Sequence, residues 1–142
     1  MGIYHSHSEE ETEQIGAAFA ETLHQGDVIA FTGDLGAGKT AFSRGILHGL
    51  GYTGRVTSPT FAIANEYHTA KADVVHFDMY RILDTNALWE LGFEEYFNGQ
   101  SIVLIEWSEN IADALPPHIQ IEICYGECPD DRMISIRAKG EL

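Results

Sequence analysis

The chain has 142 residues, 44% hydrophobic and 21% charged, enough for one self-sufficient core without disulfides and too apolar for a disordered tail. Twenty-two acidic residues against eight basic ones give a formal charge of -14. Such a surface repels the phosphate backbone of nucleic acid, so direct RNA or DNA binding is disfavoured.

No apolar stretch approaches the length of a membrane span, and the N-terminus lacks a basic segment followed by an apolar one. We therefore expect a cytoplasmic protein. Cys124 and Cys128 are spaced C-x3-C without nearby histidines, an incomplete zinc site, and read as two free thiols.

In chain order, His5 and His7 lie on one side of an early strand. Two ligands alone make a poor metal site, and a surface position is the better reading. Ser8 followed by Glu11 forms a capping box, and Ile15, Phe19 and Leu23 then recur at helical spacing until Gly26, which predicts a helix over roughly residues 9 to 24. The run Val28-Ile29-Ala30-Phe31 predicts a strand buried on both faces, leading into a glycine-rich segment and a helix from about Lys39 to Leu50 that Gly51 closes.

Thr60 to His68 and Asp73 to Tyr80 read as two strands that can pair as a hairpin. Asp84 can cap a short helix containing Leu88 and Leu91, and Trp89, Phe93, Tyr96 and Phe97 form an aromatic group that suits a core or a partner surface. Ser101 to Ile105 reads as another buried strand. Beyond Pro116-Pro117, Ile119, Ile121 and Ile123 alternate with other residues, as do Ile134 and Ile136 after a turn-rich stretch, predicting a terminal antiparallel hairpin. With the glycine-rich segment between a buried strand and a helix, the expected whole is one α/β domain over residues 1–142, a P-loop NTPase-like three-layer fold whose mainly parallel sheet is flanked by antiparallel strands and helices.

Gly33-Asp34-Leu35-Gly36-Ala37-Gly38-Lys39-Thr40 meets the pattern G-x-x-x-x-G-K-[ST] in full, between an apolar strand and a helix that continues with Ala41. The glycines let successive backbone N–H groups turn inward, and the helix start adds a positive dipole end for phosphates. Lys39 supplies a point charge for the β- and γ-phosphates, and Thr40 a hydroxyl for magnesium. A second magnesium anchor is expected just past a buried strand, where both Asp78 and Glu106 stand. One can bind metal while the other orients water, and the residues alone leave the assignment open.

Thr57-Ser58-Pro59-Thr60 lies where nucleotide-sensing segments lie in such proteins, or is an ordinary turn. No N-K-x-D element for guanine is present, so adenine is the expected base. Arg44, Arg55, Arg81, Arg132 and Arg137 are dispersed, too sparse for the arginine-rich lid of a small-molecule kinase.

The ordered set GDLGAGKT at 33–40, SPTF at 58–61, HFDMYR at 76–81 and IEW at 105–107 resembles the bacterial TsaE (YjeE) family. The likeness runs from Ser8 through the final hairpin. It implies an ATPase, holding ATP or ADP and magnesium, that acts on the TsaB–TsaD pair in the synthesis of threonylcarbamoyladenosine in tRNA. It also implies that Thr40 and Glu106 hold magnesium, that Asp78 assists hydrolysis, and that Trp107 borders the site. The regions of Thr12 and Arg132 would flank the adenine.

Overall fold

Ser8 opens the first helix. Its side-chain oxygen accepts from the Glu11 amide at 3.0 Å, and Glu11 returns a carboxylate oxygen to the His7 amide, so two otherwise orphaned N–H groups are paired. In this computed structural model, which describes residues 2–34, 36–54, 56, 64–78, 93–106 and 115–137, the helix is α1 (Glu9–Ala20). It stops short of residue 24. The Thr22 hydroxyl donates to the Phe19 carbonyl at 2.7 Å and the Leu23 amide to the Ala20 carbonyl at 3.1 Å, and these short-range bonds take the carbonyls that further helical turns would need.

The other elements are β1 (Gly2–Ser6), β2 (Val28–Gly33), α2 (Lys39–Gly49), β3 (Ala64–His68), β4 (Asp73–Asp78), a 3-10 turn at Phe93–Tyr96, β5 (Ile102–Glu106), β6 (Ile119–Tyr125) and β7 (Arg132–Arg137). The strands form one sheet in the order β1-β7-β6-β2-β5-β4-β3. Its inner strands β4, β5, β2 and β6 are mutually parallel. Strand β3 pairs antiparallel with β4, and β7 antiparallel with both β6 and β1. Both expected hairpins are present. The segments 79–92 and 107–114, including the helix expected after Asp84 and the aromatic Trp89, lie outside the described residues.

The central strands are apolar on both faces because both faces are covered. On one side Ile29, Phe31, Ile102, Leu104, Val74, Ile121 and Ile123 join Phe19, Phe42, Ile46 and Leu47 from α1 and α2 in the larger core. On the other, Val28, Val75, Phe77, Val103 and Ile105 form a smaller core, with Tyr96 and Phe97 packed on it. The rings of Tyr96 and Phe77 meet edge to face, 5.0 Å apart, so this part of the aromatic group is core.

Helix α1 can lie against α2 because glycines remove the side chains between them. A Cβ on Gly45 would come within 2.1 Å of the Glu13 carbonyl oxygen, and Gly16 and Gly49 meet the opposing backbone in the same way. Arg44 then bonds to Glu9 and Glu13 across the pair. Gly45→Ala is expected to cost about 2–3 kcal/mol or more, since a backbone carbonyl cannot move aside as a flexible side chain can. Gly2→Ala, with open space around the new methyl, should stay within about 0.5 kcal/mol of the parent. Urea midpoints of the two variants check this.

Candidate phosphate-binding site

Strand β2 lies between β5 and β6, and its last residue is held against β6. Gly33 has φ +125°, and a Cβ there would fall 2.0 Å from the Ile123 carbonyl oxygen, so only glycine fits this end of the strand. The next residue completes the stitch: the Asp34 amide donates to the Ile123 carbonyl at 3.1 Å, and the Asp34 carboxylate accepts from the Tyr125 amide at 3.0 Å. Gly36 and Gly38 follow, also at positive φ, and Ala37 is buried.

Helix α2 starts at Gly38 with no side-chain cap and with no acidic residue in its first turn. A helix start of this kind presents its N–H groups and positive dipole end to an anion. Lys39 is 5% exposed, with Nζ donating to the Gly33 carbonyl at 3.1 Å, so its ammonium lies across the loop. Thr40 is half-buried and Ala41 buried in the same first turn.

Two residues expected beside the base are braced to this loop. Thr12, 1% exposed, shares a 2.7 Å bond with the Ser6 hydroxyl, and its methyl lies 3.7 Å from where a Gly38 Cβ would be. Arg132 donates through Nε to the Ala37 carbonyl at 2.9 Å and through Nη1 to the Pro129 and Asp131 carbonyls, with its guanidinium 5.0 Å from the Tyr125 ring centre. An adjoining cavity of about 650 Å³ is lined by His5, Ser6, His7, Tyr125, Arg132 and Met133, among others.

The two expected acids end neighbouring parallel strands, Asp78 on β4 opposite Glu106 on β5. Glu106 is buried, and its carboxylate is 2.5 Å from Nε2 of His76, which has no exposed surface. Sequence reasoning missed His76 as a site residue. A buried polar residue within the apolar run Val74-Val75-His76-Phe77 was the available signal. The side chain of Asp78, together with Leu35, Trp107 and the segment Thr57 to Thr60, lies outside what the structure describes.

Among the described residues no three His, Cys, Asp or Glu side chains gather as a metal cage. His7 follows the end of β1 and pairs instead with Asp131 through Nδ1 at 3.0 Å. Cys124 and Cys128 are free thiols. Burial, with Glu122 and Asp34 nearby, pushes the Cys124 thiol up. No helix among the described residues is long and apolar enough to cross a membrane.

A strand running into a glycine-rich loop and an uncapped helix, inside a sheet with a parallel core, defines a P-loop NTPase-like protein. The sequence model of the family described as "Threonylcarbamoyl adenosine biosynthesis protein TsaE" matches residues 6–134, and the chain belongs to that family. It is 42% identical over 132 residues to the tRNA threonylcarbamoyladenosine biosynthesis protein TsaE of Bacillus subtilis, covering 92% of this chain and 82% of the relative. With the protein of that name from Haemophilus influenzae it shares 41% identity over 135 residues, 91% of this chain and 84% of the other. The crystal structure of YdiB from Bacillus subtilis superposes with a TM-score of 0.82 at 37% identity, over 97% of this chain and 85% of that one.

The contact between His7 and Asp131 is pH-sensitive. A hydrogen bond to Asp131 and its charge, aided by Glu11, raise the His7 pKa above 6.5, while the same bond leads the causes that lower Asp131 below 3.8. The stability due to protonated His7 is complete below the ordinary histidine value and is lost as pH rises through the raised one. The Asp131 share is complete above the ordinary carboxylate value and is lost as pH falls through the depressed one. The pair therefore works best at about pH 4–6.5. Urea midpoints of wild type and His7→Gln should differ most near pH 5 and converge by about pH 9, and 1 M salt should shrink the gap.

Proposed function

We propose that the chain is a cytoplasmic ATPase that binds ATP at the start of α2 and hydrolyses it with magnesium, serving threonylcarbamoyladenosine formation in tRNA while docked on a TsaB–TsaD pair. The observation that carries this reading is the α2 start, which no side chain caps, with the Lys39 ammonium lying across the glycine loop at the Gly33 carbonyl. On ATP binding, Nζ would exchange that carbonyl for β- and γ-phosphate oxygens.

The Thr40 hydroxyl and the Glu106 carboxylate are hard oxygen donors of the type magnesium takes, and they are the residues that would hold it. When bound, magnesium would neutralise charge developing on the phosphate oxygens. Asp78, in register with Glu106, would orient the attacking water. Water adds to the γ-phosphorus, the bond to the β–γ bridging oxygen breaks, and ADP and inorganic phosphate leave. Thr12, Arg132 and the cavity beside Tyr125 would receive the adenine, with Trp107 bordering the site.

Two of the five arginines are already engaged within the chain. Arg44 bonds to Glu9 and Glu13, and Arg132 to three main-chain carbonyls. This supports a pocket whose transition-state charge is met in part by another protein. The net charge of -14 supports indirect action on tRNA, since such a surface does not attract a polyanion.

Phosphate release should be measured for wild type, Lys39→Ala and Glu106→Ala, each with and without the TsaB–TsaD pair. The pair is expected to raise the wild-type rate, and each substitution to lower the stimulated rate at least about 100-fold. A wild-type rate that the pair leaves unchanged overturns the partner-dependent reading.

A further inference from the structure

His76 lies wholly inside the protein, on the same face of the sheet as Val74 and toward the larger core, with Ile102 and Leu104 on the neighbouring strand β5. A polar ring in such a place costs stability unless it is bonded. Its Nε2 meets the Glu106 carboxylate at 2.5 Å, while Nδ1 has no partner among the described residues.

That asymmetry selects a tautomer. A bare Nδ1 lone pair left unmatched costs less than a buried N–H left unmatched, and Nε2 is the ring nitrogen within reach of the Glu106 carboxylate. Glu106 itself is 5% exposed, and an ionised carboxylate at that depth requires a donor. One oxygen is committed to the ring, and the carboxylate is held at the end of β5 beside Asp78 in register.

We propose that His76 is the positioning residue for Glu106: its Nε2–H fixes one carboxylate oxygen, so that the other is presented to the divalent cation at the phosphate site. The inference rests on the reading of Glu106 as a magnesium ligand. A partner behind a metal ligand governs metal affinity by limiting the ligand's freedom, and its loss typically weakens binding by about 10–100-fold. His76 does not touch the nucleotide or the metal in this arrangement. It acts through Glu106.

The test follows Mn2+ binding by electron paramagnetic resonance in the presence of adenylyl imidodiphosphate, for the full chain as wild type, His76→Leu, His76→Gln and Glu106→Gln. His76→Leu should weaken Mn2+ by about 10-fold or more. His76→Gln, which keeps an N–H donor near the Nε2 position, should restore most of the affinity, and a merely space-filling role would not give that rescue. Loss in Glu106→Gln with none in His76→Leu overturns the positioning role alone. Absence of loss in both overturns the metal-ligand reading with it, and equal loss in the Leu and Gln variants overturns the donor argument. Should His76→Leu fail to fold, 15N spectra of the imidazoles in wild type decide: an Nε2–H tautomer is expected, and an Nδ1–H tautomer at His76, which cannot donate to Glu106, overturns the proposal.

Discussion

The close approach of β2 to β6 at Gly33 is the constraint on which the site depends. With no Cβ, the backbone of Gly33 can lie against the Ile123 carbonyl, where any side chain would collide at 2.0 Å. The same carbonyl takes the Asp34 amide, and the Asp34 carboxylate takes the Tyr125 amide. The loop therefore leaves the sheet in one direction, and the Gly33 carbonyl remains available to receive Lys39. A phosphate loop works only when its N–H groups and its lysine converge. Here strand contact fixes where the loop leaves the sheet and where the Lys39 ammonium rests.

The residues around the loop are held there by contacts from distant parts of the chain. Arg132 at the start of β7 bonds to Ala37, and Thr12 in α1 lies against Gly38 while bonding to Ser6 of β1. His7 joins Asp131 close by. The His7–Asp131 contact is exposed and screened, whereas the Thr12–Ser6 bond is buried and costly to break. Together they make the loop, the first strand and the last hairpin one unit, because each restrains a segment that another also holds.

The fold was legible in the sequence where pattern and chemistry agree. Val28 to Phe31, a run too short for a helix, marked a strand buried on both faces, and the alternating isoleucines from Ile119 to Ile136 marked a hairpin. The capping box at Ser8 placed the start of α1, but its end was overestimated. The apolar period continues to Leu23, which is buried, although the Thr22 hydroxyl has already ended the helix. Periodicity reports which residues face the core and not whether the backbone between them stays helical. The pairing of β1 with β7 was not legible, because strand partners distant in sequence leave no local signal. The loop from Gly33 to Thr40 was legible because the proposed phosphate binding needs consecutive residues, whereas the partnership of His76 with Glu106 spans 30 positions and shows only once β4 and β5 lie side by side.

That last case bears on how such a site is built. β4 and β5 are parallel neighbours in register, His76 beside Leu104 and Asp78 beside Glu106. The histidine is thus one pleat period below the acids, and Val74, one period further down on the same face, is buried in the larger core. The ring bridges the neighbouring strands, its Nε2 lying 2.5 Å from the carboxylate of Glu106, two positions beyond the residue paired with His76. Both faces of this sheet region are covered, so water does not compete for the bond, and the pair keeps one geometry. In the proposed site the strand ends would carry the chemistry, and the residue that orients it is supplied from inside the sheet, where packing rather than loop conformation fixes its place.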